Sequence, residues 1–249
     1  MQGTGLPTFR PTVWPAEPPD VPTVMRYVLE DLGGGRALVG DVDRDREQAE
    51  LPPDFALREV LEAPEDDAGL VDFMREWGLL VDLPHEGLVL DLDAARWRLT
   101  ELQALARHVI ADRDGDEDAL LAAWSPLGEM PARVSQAWLC FQATMNRALL
   151  PFGMHVRLGP DDDATLSRPM PNLYNATAVQ IAQYLSSEQP IARCSNERCG
   201  RPFTVQRSAR RRYPSSHHAA GVRYCSHLCA KAQSERDRRA RRRQEKGTP

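Results

Sequence analysis

The sequence predicts a mainly helical α+β body carrying one small β-hairpin, followed by a short basic segment built as a tight turn, a hairpin and a helix. Three observations carry this expectation. Apolar residues recur at helical spacing through most of residues 70–187, and one stretch of strict alternation interrupts them. Four of the five cysteines fall as two close pairs after Pro190. Charge divides at the same place. Of 31 basic and 36 acidic residues, 16 and 4 lie in residues 191–249, a net of +12 that leaves −17 on residues 1–190. The total of −5 conceals two opposite blocks, and such asymmetry points to an anionic partner.

Pro7, Pro11, Pro15, Pro18, Pro19 and Pro22 crowd the start of the chain. Proline donates no backbone hydrogen bond and keeps its predecessor out of the helical region, so residues 1–23 are expected as an extended arm. Val24 to Val39 is apolar and broken by Gly33-Gly34-Gly35, which fits strand–turn–strand or the end of a short helix. No Gly-Lys-Ser/Thr follows those glycines, so they are not a phosphate loop. Asp41 to Glu50 reads as a charged loop.

Helical periodicity then dominates. Leu70, Met74 and Trp77 share one face of a helix of about three turns. Asp93 is the expected cap of a longer helix, in which Trp97, Leu102, Leu105 and Val109 recur near the helical period. The acidic stretch Asp112 to Asp118 ends it, and Asp116 can cap a short helix reaching Trp124. Pro131 suits the first turn of the next helix, whose stripe is Val134, Trp138, Phe141, Met145 and Leu149. Met154, Val156 and Leu158 alternate with His155 and Arg157, the pattern of a half-buried strand. Pro160 and Asp161-Asp162-Asp163 make its turn, and Ala164 to Met170 returns. A last body helix over Leu173 to Ser187 spaces Tyr174, Ala178, Ile181 and Leu185 by four, three and four. Gln189-Pro190 breaks it, so the acidic body is expected over residues 24–190 and the basic segment over 191–249.

Several function classes lose support here. The aromatic and methionine stripes read as core. Asp161, Asp162 and Asp163 are adjacent and no calcium-loop spacing follows them. His85, His108 and His155 stand apart from any telling partner, and Cys140 lies within an apolar helix as a buried thiol. No nucleophile, base and orienting residue occur as a set, so an enzyme is not expected. No apolar run approaches the roughly 20 residues of a membrane helix, and the N-terminus lacks a secretory signal, so a cytoplasmic protein is expected. Arginine supplies 29 of the 31 basic residues, Lys231 and Lys246 being the exceptions. A GC-rich bacterial genome explains that bias, but not the crowding of arginine at one end.

The remaining cysteines, Cys194, Cys199, Cys225 and Cys229, are spaced C-x4-C-x25-C-x3-C. In a reducing compartment two close pairs indicate zinc rather than disulfides, because zinc takes four tetrahedral thiolate or imidazole ligands. Gly200 permits the positive-φ turn of a knuckle behind Cys199. Phe203 and Val205 alternate as an outgoing strand, Tyr224 ends a returning one, and Ser226 can cap a helix. Cys225 and Cys229 then face one ion from the first turn of that helix, whose dipole favours thiolate. Knuckle, hairpin and helix together make a treble-clef zinc finger holding one structural zinc. His217, His218 and His227 are alternative ligands. A catalytic zinc needs an open position and a neighbouring base, yet no carboxylate lies between Cys199 and Cys225.

Cations surround this site. Arg207, Arg210, Arg211, Arg212 and Arg223 precede the second pair, and Lys231, Arg236, Arg238, Arg239, Arg241, Arg242 and Arg243 follow it. These are the candidate nucleic-acid contacts, since arginine meets phosphate through bidentate, charge-assisted bonds and releases counterions on binding. Few aromatics interleave with them, so DNA is the expected partner and RNA a variant with less support. The competing reading is a structural or interaction protein, its arginine helix docked on an acidic surface, including this chain's own body.

CSNERCGRPF matches the C-x-N-x-x-C-G-x-x-F opening of the CGNR-type zinc finger, and RYCSHLC before a basic helix resembles that finger's closing half. The resemblance covers about residues 191–245 and extends weakly back over His155 to Gln189. It implies an N-terminal helical domain of the ABATE type and a role as a stress-induced transcription regulator of bacteria. Such a domain would sense a small-molecule effector or mediate self-association. The family's second pair has four intervening residues and continues Gly-Asn-Arg, whereas here three intervene and Ala230-Lys231-Ala232 follow. Ser208-Ala209-Arg210 only hints at the family's Ser-Arg-Asn segment, and Tyr213 to Val222 is inserted.

Overall fold

A computed structural model describes residues 23–40, 46–82, 89–152, 155–158, 164–167, 172–186, 191–204 and 223–246. The proline-rich arm, His85, the Asp161 to Asp163 turn, Arg207, Arg210, Arg211, Arg212, His217 and His218 lie outside the described residues. The architecture is mixed α+β, with helices around one apolar core and small antiparallel sheets at its margins.

Strands β1 (Thr23–Tyr27), β2 (Leu29–Gly33), β3 (Arg36–Val39) and β4 (Arg46–Glu50) open the fold. β1 pairs with β4, Thr23 opposite Glu50, and β2 pairs with β3 across the glycine turn. Val24, Leu29, Ala37 and Val39 turn inward from these strands. The single expected hairpin therefore undercounts the sheet, and the end of the supposed loop Asp41 to Glu50 is strand β4. A charged segment shows no alternation, but its backbone can still complete the edge that β1 offers.

Helix α1 (Phe55–Arg58) buries Phe55, Ala56 and Leu57. Helix α2 (Asp67–Trp77) is capped by Asp66, whose side chain accepts from Gly69 N at 2.9 Å, and buries Leu70 and Met74 as expected. It stops at Gly78, where φ is 111° and a Cβ would stand 2.7 Å from the Met25 oxygen. Only glycine fits that approach.

Strand β5 (Val89–Asp91) joins β3 and runs directly into α3 (Leu92–Asp114), the central helix. The cap is Asp91, which accepts from Asp93 N at 2.9 Å, so Asp93 lies inside the first turn rather than before it. Leu99, Leu102, Leu105 and Val109 are at most 1% exposed, whereas Trp97 is 49% exposed. Trp97 stands five residues before Leu102, off the helical line. Helix α4 (Glu117–Ala122) is capped by Asp116, as expected, and leads through a 3₁₀ turn to α5 (Val134–Leu149). Pro131 precedes that helix instead of sitting in its first turn, and Arg133 takes the cap position. Phe141 and Met145 are buried, Val134, Trp138 and Leu149 pack at the core's edge, and Cys140 is half-buried there.

The hairpin β6 (His155–Leu158) and β7 (Ala164–Ser167) forms in the register His155 opposite Ser167. Helix α6 (Leu173–Ser186) then packs against α3 and α5 and buries Tyr174, Ala178 and Ile181. Between α3, α5 and α6 lies one charged insertion, Glu101, 1% exposed and paired with Arg98 at 2.8 Å and Arg147 at 2.7 Å. Strands β8 (Ile191–Arg193) and β9 (Pro202–Thr204) and helix α7 (His227–Lys246) complete the chain. No helix among the described residues is long and apolar enough to cross a membrane.

Candidate metal centre

Local hydrogen bonds shape the first cysteine pair. Cys199 N and Gly200 N both donate to the Asn196 oxygen, at 2.8 and 3.1 Å, and Gly200 takes φ 59° to close the turn. Asn196 Oδ1 accepts from Arg198 N at 3.0 Å. These bonds curl CSNERC so that Cys194 and Cys199 face the same point. Strand β9 pairs with β8, Phe203 opposite Ala192, so the hairpin closes over this first pair. The expected strands through Val205 and up to Val222 fall outside the described residues, and Tyr224, expected to end the returning strand, stands in no strand.

The second pair is set by the start of α7. Ser226 Oγ accepts from Cys229 N at 3.2 Å, a side-chain cap on the first turn, as the sequence predicted. Ser195 N donates to the Arg223 oxygen at 2.7 Å and joins the two halves.

The four sulfurs converge. Cys199 Sγ stands 3.7 Å from Cys225 Sγ, Cys225 Sγ stands 3.6 Å from Cys229 Sγ, and all four lie within 4.8 Å of one another. A disulfide needs sulfurs about 2.05 Å apart, and all four thiols are free. Sulfurs placed tetrahedrally at about 2.3 Å from one ion stand about 3.8 Å apart. The donor set therefore fits a four-coordinate thiophilic cation. His227 is exposed and outside this cluster.

Packing the thiols together drives their ionisation apart. Burial pushes Cys225 up to about 12, the neighbouring thiols adding to it, and burial raises Cys199 also. Cys229 is drawn down to about 7, first by the Ser226 hydroxyl and then by Cys225. A divalent cation held by the four cysteines would override these individual preferences by neutralising the thiolates together.

Two side chains to which the sequence alone assigned no role, the motif residue Asn196 and Gln233, hold the halves in place. Asn196 is 5% exposed and donates from Nδ2 to the Cys229 oxygen at 3.2 Å. Gln233 is 6% exposed; its Oε1 accepts from Glu197 N at 3.3 Å and its Nε2 donates to Asp237 at 3.0 Å. Arg236 donates to Asn196 Oδ1 and to Gln233 Oε1, the latter at 2.8 Å from Nη2. A signal existed: Gln233 follows Cys229 by four residues, hence on the same helical face.

The candidate cations divide by surroundings. Arg238 and Arg239 pair with Glu235 in their own helix at 2.8 and 3.3 Å. Lys231, Arg223, Arg241, Arg242 and Arg243 are exposed. The cysteine-bearing segment touches the body elsewhere. Strand β9 packs on α1, Arg201 pairs with Glu62 at 2.7 Å, and Arg193 Nε donates to Asp114 at 3.0 Å. Comparison with known proteins found no matching family model, no matching curated protein and no matching solved structure.

Proposed function

We propose that this chain is a zinc-dependent DNA-binding protein that regulates transcription in a bacterium. One observation carries the reading: a helix crowded with arginine grows directly out of the second pair of a four-thiol cluster. Four protein thiolates close a zinc coordination sphere and leave no open position, which favours a structural, non-catalytic ion. The knuckle under β8–β9 and the capped helix α7 support a treble-clef-like arrangement. The CSNERCGRPF motif supports kinship with CGNR-type fingers and, with it, a cytoplasmic protein whose residues 24–190 form an ABATE-like effector or association domain.

Physical chemistry favours an anionic partner for α7. The helix holds eight basic residues against three acidic ones, and from Asp237 to Arg243 every residue is exposed. This outer half of the helix has no buried face, so packing does not explain its charge. Residues 1–190, at a net −17, repel DNA, which directs contact to the C-terminal end. Electrophoretic mobility of duplex DNA with the full chain, at graded salt and with or without chelator, tests the reading. Binding that weakens steeply with salt and disappears on chelation is expected; binding that survives zinc removal unchanged overturns it.

A second reading has its own observation. Arg193–Asp114 and Arg201–Glu62 show acidic body residues holding arginines of the basic segment. On that reading the ion only stabilises the segment, and α7 docks on an acidic protein surface. Absence of DNA binding at low salt favours it.

A further inference from the structure

The cations of α7 do not share one environment, and the network at the cysteine cluster fixes which way each faces. Cys229, Gln233 and Arg236 follow at intervals of four and three and form the inward line against the knuckle. Once that line is set, the helical period sets every other direction. Lys231, Arg238 and Arg242 follow one another at intervals of seven and four, so they form a second line on the far side. All three are exposed. Glu235 sits beside this line and pairs with Arg238 and Arg239. Arg236 differs from them, because its guanidinium is spent on Asn196 and Gln233.

We infer that α7 meets the phosphates of duplex DNA along the ridge Lys231–Arg238–Arg242, while Arg236 is a strut that fixes this ridge relative to the cysteine cluster. The inference rests on the DNA-binding reading above and deepens it. The ridge holds only long cationic side chains, which suits phosphates: Arg by fork geometry and Lys as a point charge. Lys231 to Arg238 spans about 10 Å of helix and Arg238 to Arg242 about 6 Å, so the ridge is long enough for more than one phosphate. Glu235 restrains the ridge, orienting two guanidinium groups at the cost of one opposing charge. Arg236 transmits order in the other direction, since the Asn196 it holds also grips the backbone of Cys229.

Fluorescence anisotropy of a labelled 20-base-pair duplex, titrated with zinc-loaded full chain at several salt concentrations, tests this. The Lys231→Ala, Arg238→Ala, Arg242→Ala triple variant removes only exposed side chains. Its affinity is expected to fall at least tenfold, with the slope of log affinity against log salt shallower by about 3. Arg242→Ala and Arg243→Ala change net charge equally but on different faces, so the former should lose at least threefold more. Glu235→Gln should bind severalfold tighter. Arg236→Gln keeps an amide donor for Asn196 and should bind within twofold of the parent; Arg236→Ala should release zinc to a chromogenic chelator sooner than Arg236→Gln.

If the parent chain ignores DNA at low salt, the DNA-binding reading itself fails, and binding of polyglutamate instead marks an acidic protein as the partner. If the parent binds and the triple variant binds within twofold of it, the ridge fails alone. An Arg236→Gln loss as large as that of the triple variant overturns the strut.

Discussion

Asn196 Nδ2 donates to the backbone oxygen of Cys229 at 3.2 Å, tying the turn of the first cysteine pair to the last cysteine of the second. Its Oδ1 takes Arg198 N and Arg236 on the other side. One buried amide therefore joins knuckle, helix and cysteine cluster. Asn196→Ala leaves those partners without it, at a cost of about 1–3 kcal/mol. Zinc should pass to a chelator at lower chelator concentration than in the parent. Identical competition curves would show that the amide is incidental.

Cys225 has two sulfur neighbours under 4 Å. On the zinc reading, the parent should bind one equivalent of zinc and Cys225→Ser should bind none. Helix α7 should then melt, since its outer turns bury nothing and helices in proteins draw most of their stability from packing. Far-ultraviolet circular dichroism should lose roughly the helicity of His227–Lys246, and chelating the parent should do the same. The apolar core, in which these cysteines take no part, should unfold at a similar denaturant concentration. A full zinc complement in the variant would refute the ligand assignment.

His108 is fully buried among Trp124, Trp138 and Phe141. Trp124 Nε1 donates to its Nδ1 at 3.1 Å, so the neutral ring carries its proton on Nε2, which has no partner among the described residues. Burial lowers its pKa from 6.5 to about 4. The unfolded chain therefore binds this proton more readily between those values. The associated stability, on the order of 3 kcal/mol, is whole above pH about 6.5 and is lost as pH falls towards 4. An NMR titration should show the His108 ring neutral down to pH 5. A midpoint near 6.5 in the folded protein would contradict the burial argument.

Glu101 is the charged group that α3 buries, and Arg98 and Arg147 reach it from partly exposed positions. Replacing both arginines by methionine strands the carboxylate, with an expected loss of about 3–5 kcal/mol. Glu101→Gln should cost less, because both guanidinium groups keep access to water and an amide oxygen. Urea midpoints compare the two, and equal losses would mean that packing rather than charge sets the cost.

The legible parts of this protein are those whose information is local. The cysteine pairs, Gly200 and the Ser226 cap announce themselves within a few residues of chain, as do the stripes Leu70–Met74 and Tyr174–Ala178–Ile181. Other features depended on distant partners. Strand β4 looked like loop because its pairing lies with β1, and Trp97 looked like core although its helical angle turns it outward. Asp93 looked like the cap of α3, but Asp91 holds that place, because β5 ends there.

The sequence by itself determined that four thiols and a dense set of arginines share the last 59 residues, against an acidic remainder. Composition and short-range spacing suffice for that, because ligand pairs and helix caps are set within a turn or two. Only the tertiary structure decided which arginine is held and which are presented. Asn196 and Arg236 are 40 residues apart in the chain and meet because the knuckle folds back onto α7. Long-range hydrogen bonds between buried polar groups leave no periodic trace in a sequence. They turn a uniform run of charge into one strut and one exposed ridge.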